Sequence, residues 1–410
     1  MARTIVLAGA LDTKGEDFLF VKSLLKARGF RVLVVDIGVL GEPKFPPDIP
    51  SAEVARAGGD DLEQLRAARD KTRAMRVMTE GLTRVVRQLY EEGRLDGILG
   101  MGGSGGTAVI TAAMRGLPIG VPKVMVSTVA SGDVSAYVGT RDIVMFPSIV
   151  DVAGINRISR QIYTNAAGAI AGMVRARERM PAITADKPII VASMFGNTTP
   201  CVDRVRERME QAGYEVLVFH ATGTGGRIME MLIEEGFVDA VADITTTELA
   251  DEIAGGVLSA GPDRLFAAAR KGLPTVLVPG CVDMVNFWAR STVPEHYRSR
   301  LLYEWNPNVT LMRTTPEENR RIGEWIARAA NASTGPVAIL LPLKGVSMLD
   351  SPGEPFWDPE ADRACYEAIK ANVRPGIPVF ELDHNINDTE FADYVADTLL
   401  RLIEQAKAKA

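Results

Sequence analysis

Residues 95–111, LDGILGMGGSGGTAVIT, contain a run of glycines that joins a predicted buried strand to a predicted helix, the basic unit of an α/β fold. The apolar run 97–101 suits a strand covered on both faces, and the Ala-rich end suits a helix. The first backbone N–H groups of a helix lack an internal partner, and glycine lets an anion approach them closely. We therefore predict a phosphate-binding turn that consists of Gly102, Gly103, Ser104, Gly105, Gly106 and Thr107.

The sequence around these glycines argues against two common kinds of phosphate site, the dinucleotide site and the P-loop. Gly100, Gly102 and Gly105 satisfy G-x-G-x-x-G, but the following segment PKVMVSTVASG lacks the acidic residue that dinucleotide sites place about twenty positions on. The chain contains no G-x-x-x-x-G-K-[ST] motif. A glycine-rich turn that serves only close packing is the alternative to a phosphate site.

Composition restricts the class of protein. At 410 residues the chain is too long for one ordinary core, and 47% apolar with 24% charged residues is typical of a soluble globular protein. A net charge of −6 without a basic run argues against nucleic-acid binding. The chain has no apolar segment of eighteen residues and no signal-peptide pattern, and its three cysteines are widely spaced. We expect a cytoplasmic protein without membrane contact.

Two similar halves are visible in the order of the predicted elements. TIVLA, a helical stretch and RVLVVDI form a βαβ unit, which implies a parallel sheet with a right-handed crossover. The same order restarts after a predicted linker at 181–188, where EQAGYEVLVFHA parallels the earlier KARGFRVLVVDI. We predict an α/β fold with two Rossmann-like, doubly wound parallel-sheet domains from an internal duplication, a nucleotide-binding domain 1–182 and a second domain 187–410.

In the first half, polar residues at predicted strand ends are further candidates for ligand contacts, because parallel sheets bind ligands at that edge. Asp12, Thr13 and Lys14 follow the first strand, and Lys14 is either a phosphate contact or a solvated turn lysine. Ser131 and Gly132 follow a later strand and are predicted to contact a second part of the ligand. Asp133 is predicted to reach a hydrated cation, and a satisfied Asx turn is the alternative.

Other elements are predicted from local patterns. Residues 60–92 show a long helical pattern with an interruption near 73–80, and residues 123–127 and 379–382 are predicted strands. We interpret the many arginines of the helical pattern as a solvated or subunit-facing surface, and a polyanion groove is the alternative.

In the second half, His220 and His384 each follow a predicted strand, and the carboxylates Glu248 and Asp283 also follow strands. We predict that these four residues form a catalytic centre, with the histidines as general bases or metal ligands. The alternative is that both histidines are structural. The predicted substrate-binding residues of the same crevice are Gly223, Gly225, Gly226, Thr246, Asn286, Lys344 and Ser347.

The whole chain resembles the tobamovirus-resistance-type ATP-binding family through the motifs ALDTKGED, GMGGSGGT, STVASGDV, HATGTGG, DITTTEL, DMVNF, NPNVTLMRTT and HNINDTEF. In plant members a TIM-barrel domain follows this module, and we expect this chain to be the single module without it. The resemblance implies two Rossmann-like domains, ATP with Mg²⁺ in the first domain, and a homo-oligomer. It also implies ATP contacts at the DTK turn and the GGSGGT loop.

These observations favour an ATP-dependent enzyme, a transferase or a lyase, that acts on a small carboxylated or sugar-like metabolite in the second domain. A nucleotide-sensing interaction protein without catalysis is one alternative. A lyase or hydrolase with a regulatory nucleotide is the other.

Overall fold

The structure is a computed structural model that describes residues 3–179 and 187–408. The chain divides into two compact units, Met1–Ile183 and Thr184–Ala410, called here the N-terminal and the C-terminal unit. The predicted linker lies outside the described residues except for 187 and 188. Each unit is therefore described by itself.

The described part of the N-terminal unit alternates strands with helices. Its elements are β1 (Thr4–Gly9), α1 (Leu11–Ala27), β2 (Arg31–Asp36), α2 (Ser51–Ala57), α3 (Leu62–Ala68), α4 (Lys71–Glu91), β3 (Gly97–Gly102), α5 (Ser104–Arg115), β4 (Lys123–Ser127), α6 (Ser135–Val138), β5 (Val144–Pro147) and α7 (Arg157–Arg179). The strands pair in parallel in the order β2-β1-β3-β4-β5. Helices α2, α4 and α5 share a core with one face of this sheet, and α1 and α7 share a core with the other.

The long helical pattern between residues 60 and 92 is broken at a different place from the one predicted. We expected an interruption at 73–80, but α3 ends at Ala68 and α4 begins at Lys71. The carboxylate of Asp70 accepts a hydrogen bond from the Arg73 amide at 3.0 Å and so caps the new helix. Arg69, between the helices, has a left-handed backbone with φ of 51°.

Two glycines bring α2 and α4 into backbone contact. A Cβ atom at Gly81 of α4 would lie 1.9 Å from the carbonyl oxygen of Val54 in α2. A Cβ atom at Gly58, which ends α2, would lie 2.1 Å from the carbonyl oxygen of Val77. Any larger residue at either position would push the two helices apart.

The described part of the C-terminal unit repeats the alternation and adds a small antiparallel sheet. Its elements are β6 (Ile189–Met194), α8 (Thr199–Gln211), β7 (Glu215–His220), α9 (Thr224–Glu234), β8 (Ala240–Thr245), α10 (Thr247–Ala254), α11 (Phe266–Lys271), β9 (Thr275–Gly280), β10 (Met284–Phe287), β11 (Leu302–Asn306), β12 (Val309–Arg313), α12 (Pro316–Ala332), β13 (Val337–Pro342), α13 (Pro359–Asn372), β14 (Val379–Leu382) and α14 (Thr389–Lys407).

The main sheet of this unit has the strand order β14-β13-β9-β8-β6-β7, and its neighbouring strands run parallel. In both units the first strand lies between the second and the third, which accords with the predicted duplication. The predicted α/β class with two parallel, Rossmann-like sheets is confirmed. None of the described helices has the length and apolar character needed to cross a membrane.

The antiparallel sheet of β10, β12 and β11 was not predicted. The segment 302–313 contains two short strands around Pro307, a pattern typical of a hairpin. Apolar side chains from this insertion and the neighbouring loops, including Met284, Leu311 and Phe356, form a buried cluster with Cys281 and Leu349. Cys281 comes directly after β9, and Leu349 lies in the loop after β13. The insertion therefore forms a separate small core at the ends of these two strands.

Candidate functional site

A cavity of about 770 Å³ lies at the carboxyl edge of the N-terminal sheet. Strand β1 is flanked there by β2 and β3, so the chain connections diverge to opposite sides, which is where doubly wound sheets form a crevice. The cavity is lined by the start of α1 with the residue before it, the loop after β2, the end of α3, the first half of α4 and the start of α5. Its lining residues are Ala10, Asp12, Thr13, Ile37, Gly38, Val39, Leu40, Leu65, Arg66, Arg69, Asp70, Lys71, Ala74, Met75, Met78, Gly105, Gly106 and Val109.

The start of α5 contributes backbone N–H groups to this cavity. The Thr107 amide is bonded to the Gly103 carbonyl at 2.8 Å, so the amides of Ser104, Gly105 and Gly106 precede the first helical bond. Gly105 and Gly106 line the cavity, and a Cβ atom at Gly105 would contact only Met75, at 3.7 Å. This end of α5 is therefore open to an anion, and the helix dipole favours negative charge there.

The other predicted members of the glycine turn have structural surroundings. Gly102 is the buried last residue of β3, and Gly103 occupies the N-cap position of α5. The Thr107 hydroxyl lies 2.6 Å from that of Ser127, and both residues are buried. Ser104 is exposed and does not line the cavity. The predicted turn thus meets the cavity through its last two glycines, Gly105 and Gly106.

The predicted DTK turn is part of α1, which begins at Leu11, and its three side chains have different surroundings. Thr13 lines the cavity and is exposed. Asp12 also lines it, but its carboxylate accepts hydrogen bonds from the amides of Thr13, Leu40 and Gly41 at 2.8, 2.8 and 3.2 Å. It therefore holds the loop after β2 in place. The Lys14 ammonium donates to the Val152 carbonyl, and Lys14 is not among the lining residues.

The loop that follows β4 lies apart from this cavity. Ser131, Gly132 and Asp133 are exposed, and none of them is a lining residue. The Asp133 carboxylate accepts a hydrogen bond from the Ser135 amide at 2.9 Å, and this bond lowers the pKa of Asp133. The geometry is that of the Asx turn considered as the alternative.

Helices α3 and α4 bring cations and apolar side chains to the cavity that were not predicted from the sequence. Arg66, Arg69 and Lys71 line it, together with apolar side chains that include Leu65, Met75 and Met78. The helical periodicity of residues 60–92 is visible in the sequence, and its arginines suggest a solvated or subunit-facing surface rather than a cavity lining. Nothing local in the sequence shows that this helix pair packs beside the glycine turn.

In the C-terminal unit the two histidines are far apart, so the expectation of one shared crevice is wrong. His220 ends β7 and His384 follows β14, and these strands form opposite edges of the sheet. The His220 ring packs against Phe195 with 5.3 Å between centroids, and burial lowers the pKa of His220. Nδ1 of His384 lies 3.6 Å from the Asp388 carboxylate.

The second glycine turn, HATGTGG, is occupied by a carboxylate of the chain itself. Oε1 of Glu248 accepts hydrogen bonds from the amides of Gly223 at 2.7 Å and Gly226 at 3.1 Å. A Cβ atom at Gly225 would lie 1.9 Å from the His220 carbonyl oxygen, so that glycine serves a close backbone approach. This corrects the prediction that the turn binds substrate, because its amides already hold an anion.

Glu248 in turn belongs to a buried ion-pair network. Its Oε2 lies 2.6 Å from Nε of Arg264, whose side chain is fully buried. Asp243 accepts two further hydrogen bonds from this guanidinium at 2.5 and 2.7 Å, and Glu230 accepts one at 3.1 Å. Burial raises the pKa of Glu230. The predicted catalytic Glu248 is therefore used to balance a buried arginine.

The remaining predicted residues of this unit do not converge on one open site. Asp283 is fully buried, accepts a hydrogen bond from the Ser347 hydroxyl at 2.8 Å, and has a pKa that burial raises to about 7. The buried Asn286 amide donates to Asp251 at 2.6 Å, and the buried Thr246 hydroxyl donates to the Val278 carbonyl. Lys344 pairs with Asp383 at 2.9 Å on the surface. In residues 3–179 and 187–408, no group of three His, Cys, Asp or Glu side chains is placed to hold a metal ion.

The chain matches two family profiles over nearly its whole length. Residues 3–179 match the "Uncharacterised protein family (UPF0261) N-terminal domain", and residues 187–403 match the C-terminal domain of the same family. A UPF0261 protein of Clostridium tetani is 48% identical over 406 residues, which cover 99% of this chain and 100% of that protein.

A plant relative extends well beyond the match. The "ToMV resistance protein Tm-1(GCR237)" of Solanum lycopersicum is 44% identical over 341 residues, which cover 82% of this chain and 45% of the tomato protein. Among solved structures, a UDP-N-acetylglucosamine 2-epimerase from Rickettsia bellii aligns over 99% of this chain and 97% of its own, with 10% identity and a TM-score of 0.24. A TM-score this low says nothing about ligand or activity.

Proposed function

The chain belongs to the uncharacterised protein family UPF0261, and we propose that it is an ATP-binding protein whose N-terminal unit holds the nucleotide. The cavity at the carboxyl edge of β1 and β3 supports this proposal, because it combines the open amides of α5 with an apolar lining. In the proposed complex the phosphates bind at Gly105 and Gly106. The adenine packs among apolar side chains such as Val39, Leu65 and Met78.

Magnesium fits this proposal as an ion that arrives bound to the phosphates. The described residues hold no cluster of three metal-ligating side chains, and Mg²⁺ commonly takes one or two carboxylates together with nucleotide phosphates. Of the two lining carboxylates, Asp12 accepts three amide bonds and Asp70 accepts one, so Asp70 has more capacity to add a ligand. When bound, Mg²⁺ would neutralise part of the phosphate charge.

The proposal does not include a substrate centre around the paired histidines, because His220 and His384 lie on opposite edges of their sheet. An ATP-dependent enzyme and a nucleotide-sensing protein are separated by mixing the chain with Mg·ATP and a metabolite library. An enzyme consumes ATP with one of the metabolites, and a sensor does not. The proposed homo-oligomer rests on the family resemblance and is tested by light scattering.

Calorimetric titration of the full chain with Mg·ATP tests the nucleotide site. We expect saturable binding by the wild type and none by Gly105→Val, because the new side chain projects into the cavity while its nearest neighbour is the flexible Met75. Gly168→Val is the matched control, since Gly168 of α7 has no atom within 4 Å of an added Cβ. Unchanged ATP binding by Gly105→Val would overturn the proposal.

A further inference from the structure

In the described part of the chain, two basic side chains that line the cavity, Arg69 and Lys71, lack the carboxylate partners that neighbouring arginines have. Arg66 is paired with Glu42 and Glu63, at 3.1 and 2.9 Å. Arg73 makes two hydrogen bonds with Asp60, at 2.8 and 2.9 Å. Within residues 3–179 and 187–408, Arg69 and Lys71 have no carboxylate within ion-pair distance, although both are lining residues. These two charges are free to meet a ligand.

The backbone holds both side chains at the cavity. Arg69 ends α3 with a φ of 51°, a left-handed conformation that side chains other than glycine adopt uncommonly. Asp70 then caps α4, so Lys71 is the first residue of that helix. This two-residue junction lets α3 and α4 both line the cavity, with one cation on either side of the cap. The left-handed residue ends α3 as its C-cap and places the exposed Arg69 among the residues that line the cavity.

We propose that Arg69 and Lys71 recognise the charge of a polyphosphate, so that this site selects nucleoside triphosphates over monophosphates. This inference rests on the proposed nucleotide function. The α5 amides and the helix dipole suffice for one phosphate group. The added charge of a triphosphate needs counter-charges, and the lining supplies them at Arg69 and Lys71, since its third cation, Arg66, is already paired. The lining also contains the carboxylates Asp12 and Asp70, which repel phosphate groups. Unpaired cations are needed to offset this repulsion.

The matched variants are Arg69→Gln and Lys71→Gln, which remove a charge and keep most of the side-chain length. Both residues are exposed, so the variants should fold and melt like the wild type. Arg87→Gln is the control, because Arg87 is an exposed arginine on the same helix that does not line the cavity. Lys71→Arg keeps the charge and should preserve the selectivity.

The experiment is calorimetric titration of the full chain with ATP, ADP and AMP at one ionic strength. We expect the wild type to prefer ATP to AMP, and each Gln variant to lose about tenfold in ATP affinity, as expected for one charged hydrogen bond, with a much smaller change for AMP. The double variant should bind the three nucleotides with similar affinities. If the wild type binds none of them, the proposed function fails and this inference fails with it. If the wild type binds ATP and the double variant keeps the wild-type ratio of ATP to AMP affinity, only this inference is overturned.

Discussion

His220 and His384 lie at opposite edges of the six-stranded sheet, because His220 is the last residue of β7 and His384 comes just after β14. Five strand spacings separate these two strands, which corresponds to roughly 24 Å across the sheet. No single small ligand contacts two imidazoles at that separation. Each histidine therefore has to be understood from its own neighbours, Phe195 for His220 and Asp388 for His384.

The separation predicts that the two histidines act independently. His220→Ala should lower the free energy of unfolding by about 0.5–1.5 kcal/mol, because it removes the ring contact with Phe195. The effect of His384→Ala should add to it within about 0.5 kcal/mol in the double variant. Urea unfolding followed by tryptophan fluorescence measures this, since Trp288, Trp305, Trp325 and Trp357 all lie in the C-terminal unit. A coupling energy well above that limit would contradict the sheet order.

Glu248→Ala should destabilise the C-terminal unit severely. The change leaves the buried Arg264 without one of its carboxylates and leaves the amides of Gly223 and Gly226 without an acceptor. Breaking a buried ion pair on one side costs about 3–5 kcal/mol. Glu234→Ala is the control, because Glu234 pairs with Arg270 on the surface. This variant should lower the free energy of unfolding by about 1 kcal/mol or less. Equal effects of the two variants on urea unfolding would refute the bracing role of Glu248.

Gly81→Ala should weaken the N-terminal unit by about 1–3 kcal/mol, since its methyl group would overlap the Val54 carbonyl oxygen and separate α2 from α4. Nucleotide affinity should fall as well, because α4 carries Met75 and Met78 of the cavity lining. Gly172→Ala of α7 has open space and is expected to stabilise by about 0.5–1 kcal/mol. Scanning calorimetry of both variants gives the comparison, and a neutral Gly81→Ala would contradict the close helix contact.

The buried carboxyl group of Asp362 predicts a pH dependence of stability. Burial and the neighbouring Asp350 carboxylate raise the pKa of Asp362 to about 9, while Arg313, at 2.9 Å, lowers it. The unfolded chain loses this proton near pH 4 and the folded chain only near pH 9. The contribution of Asp362 to stability is therefore complete below pH 4 and is lost progressively as pH rises through this window.

Asp362→Asn removes the titrating group and should reduce the loss of unfolding free energy between pH 5 and pH 8. Urea unfolding monitored by tryptophan fluorescence at several pH values gives the two slopes. The exposed Asp203→Asn is the control and should leave the wild-type slope unchanged. Parallel slopes for the wild type and Asp362→Asn would show that the carboxyl group titrates normally.

Much of the fold could be predicted because its signals are local. The apolar runs at 4–8, 123–127 and 379–382 correspond to β1, β4 and β14 within one residue. The break between α3 and α4 was misplaced, because the apolar spacing of residues 74–82 continues unbroken while the cap at Asp70 decides where α4 starts. The hairpin of β11 and β12 was overlooked, although its turn residues were visible.

The candidate site was predicted in part, for a similar reason. Gly105, Gly106, Asp12 and Thr13 were found from their positions at strand ends, and all four line the cavity. Lys14 follows the same strand, but its ammonium contacts the Val152 carbonyl, far away in the sequence. Arg69 and Lys71 precede the glycine turn by more than thirty residues, so only the packing of α3 and α4 brings them to it.

Local sequence patterns were enough to predict the strands of the two parallel sheets, most of the helices and the two glycine turns, because these depend on short apolar runs and on the backbone freedom of glycine. Only the tertiary structure decided that the turn before α5 is open and that the turn before α9 is closed by Glu248. It also decided the strand order that separates His220 from His384. The physical reason is that buried amides and charges must find partners wherever packing places them, and those partners are distant in sequence.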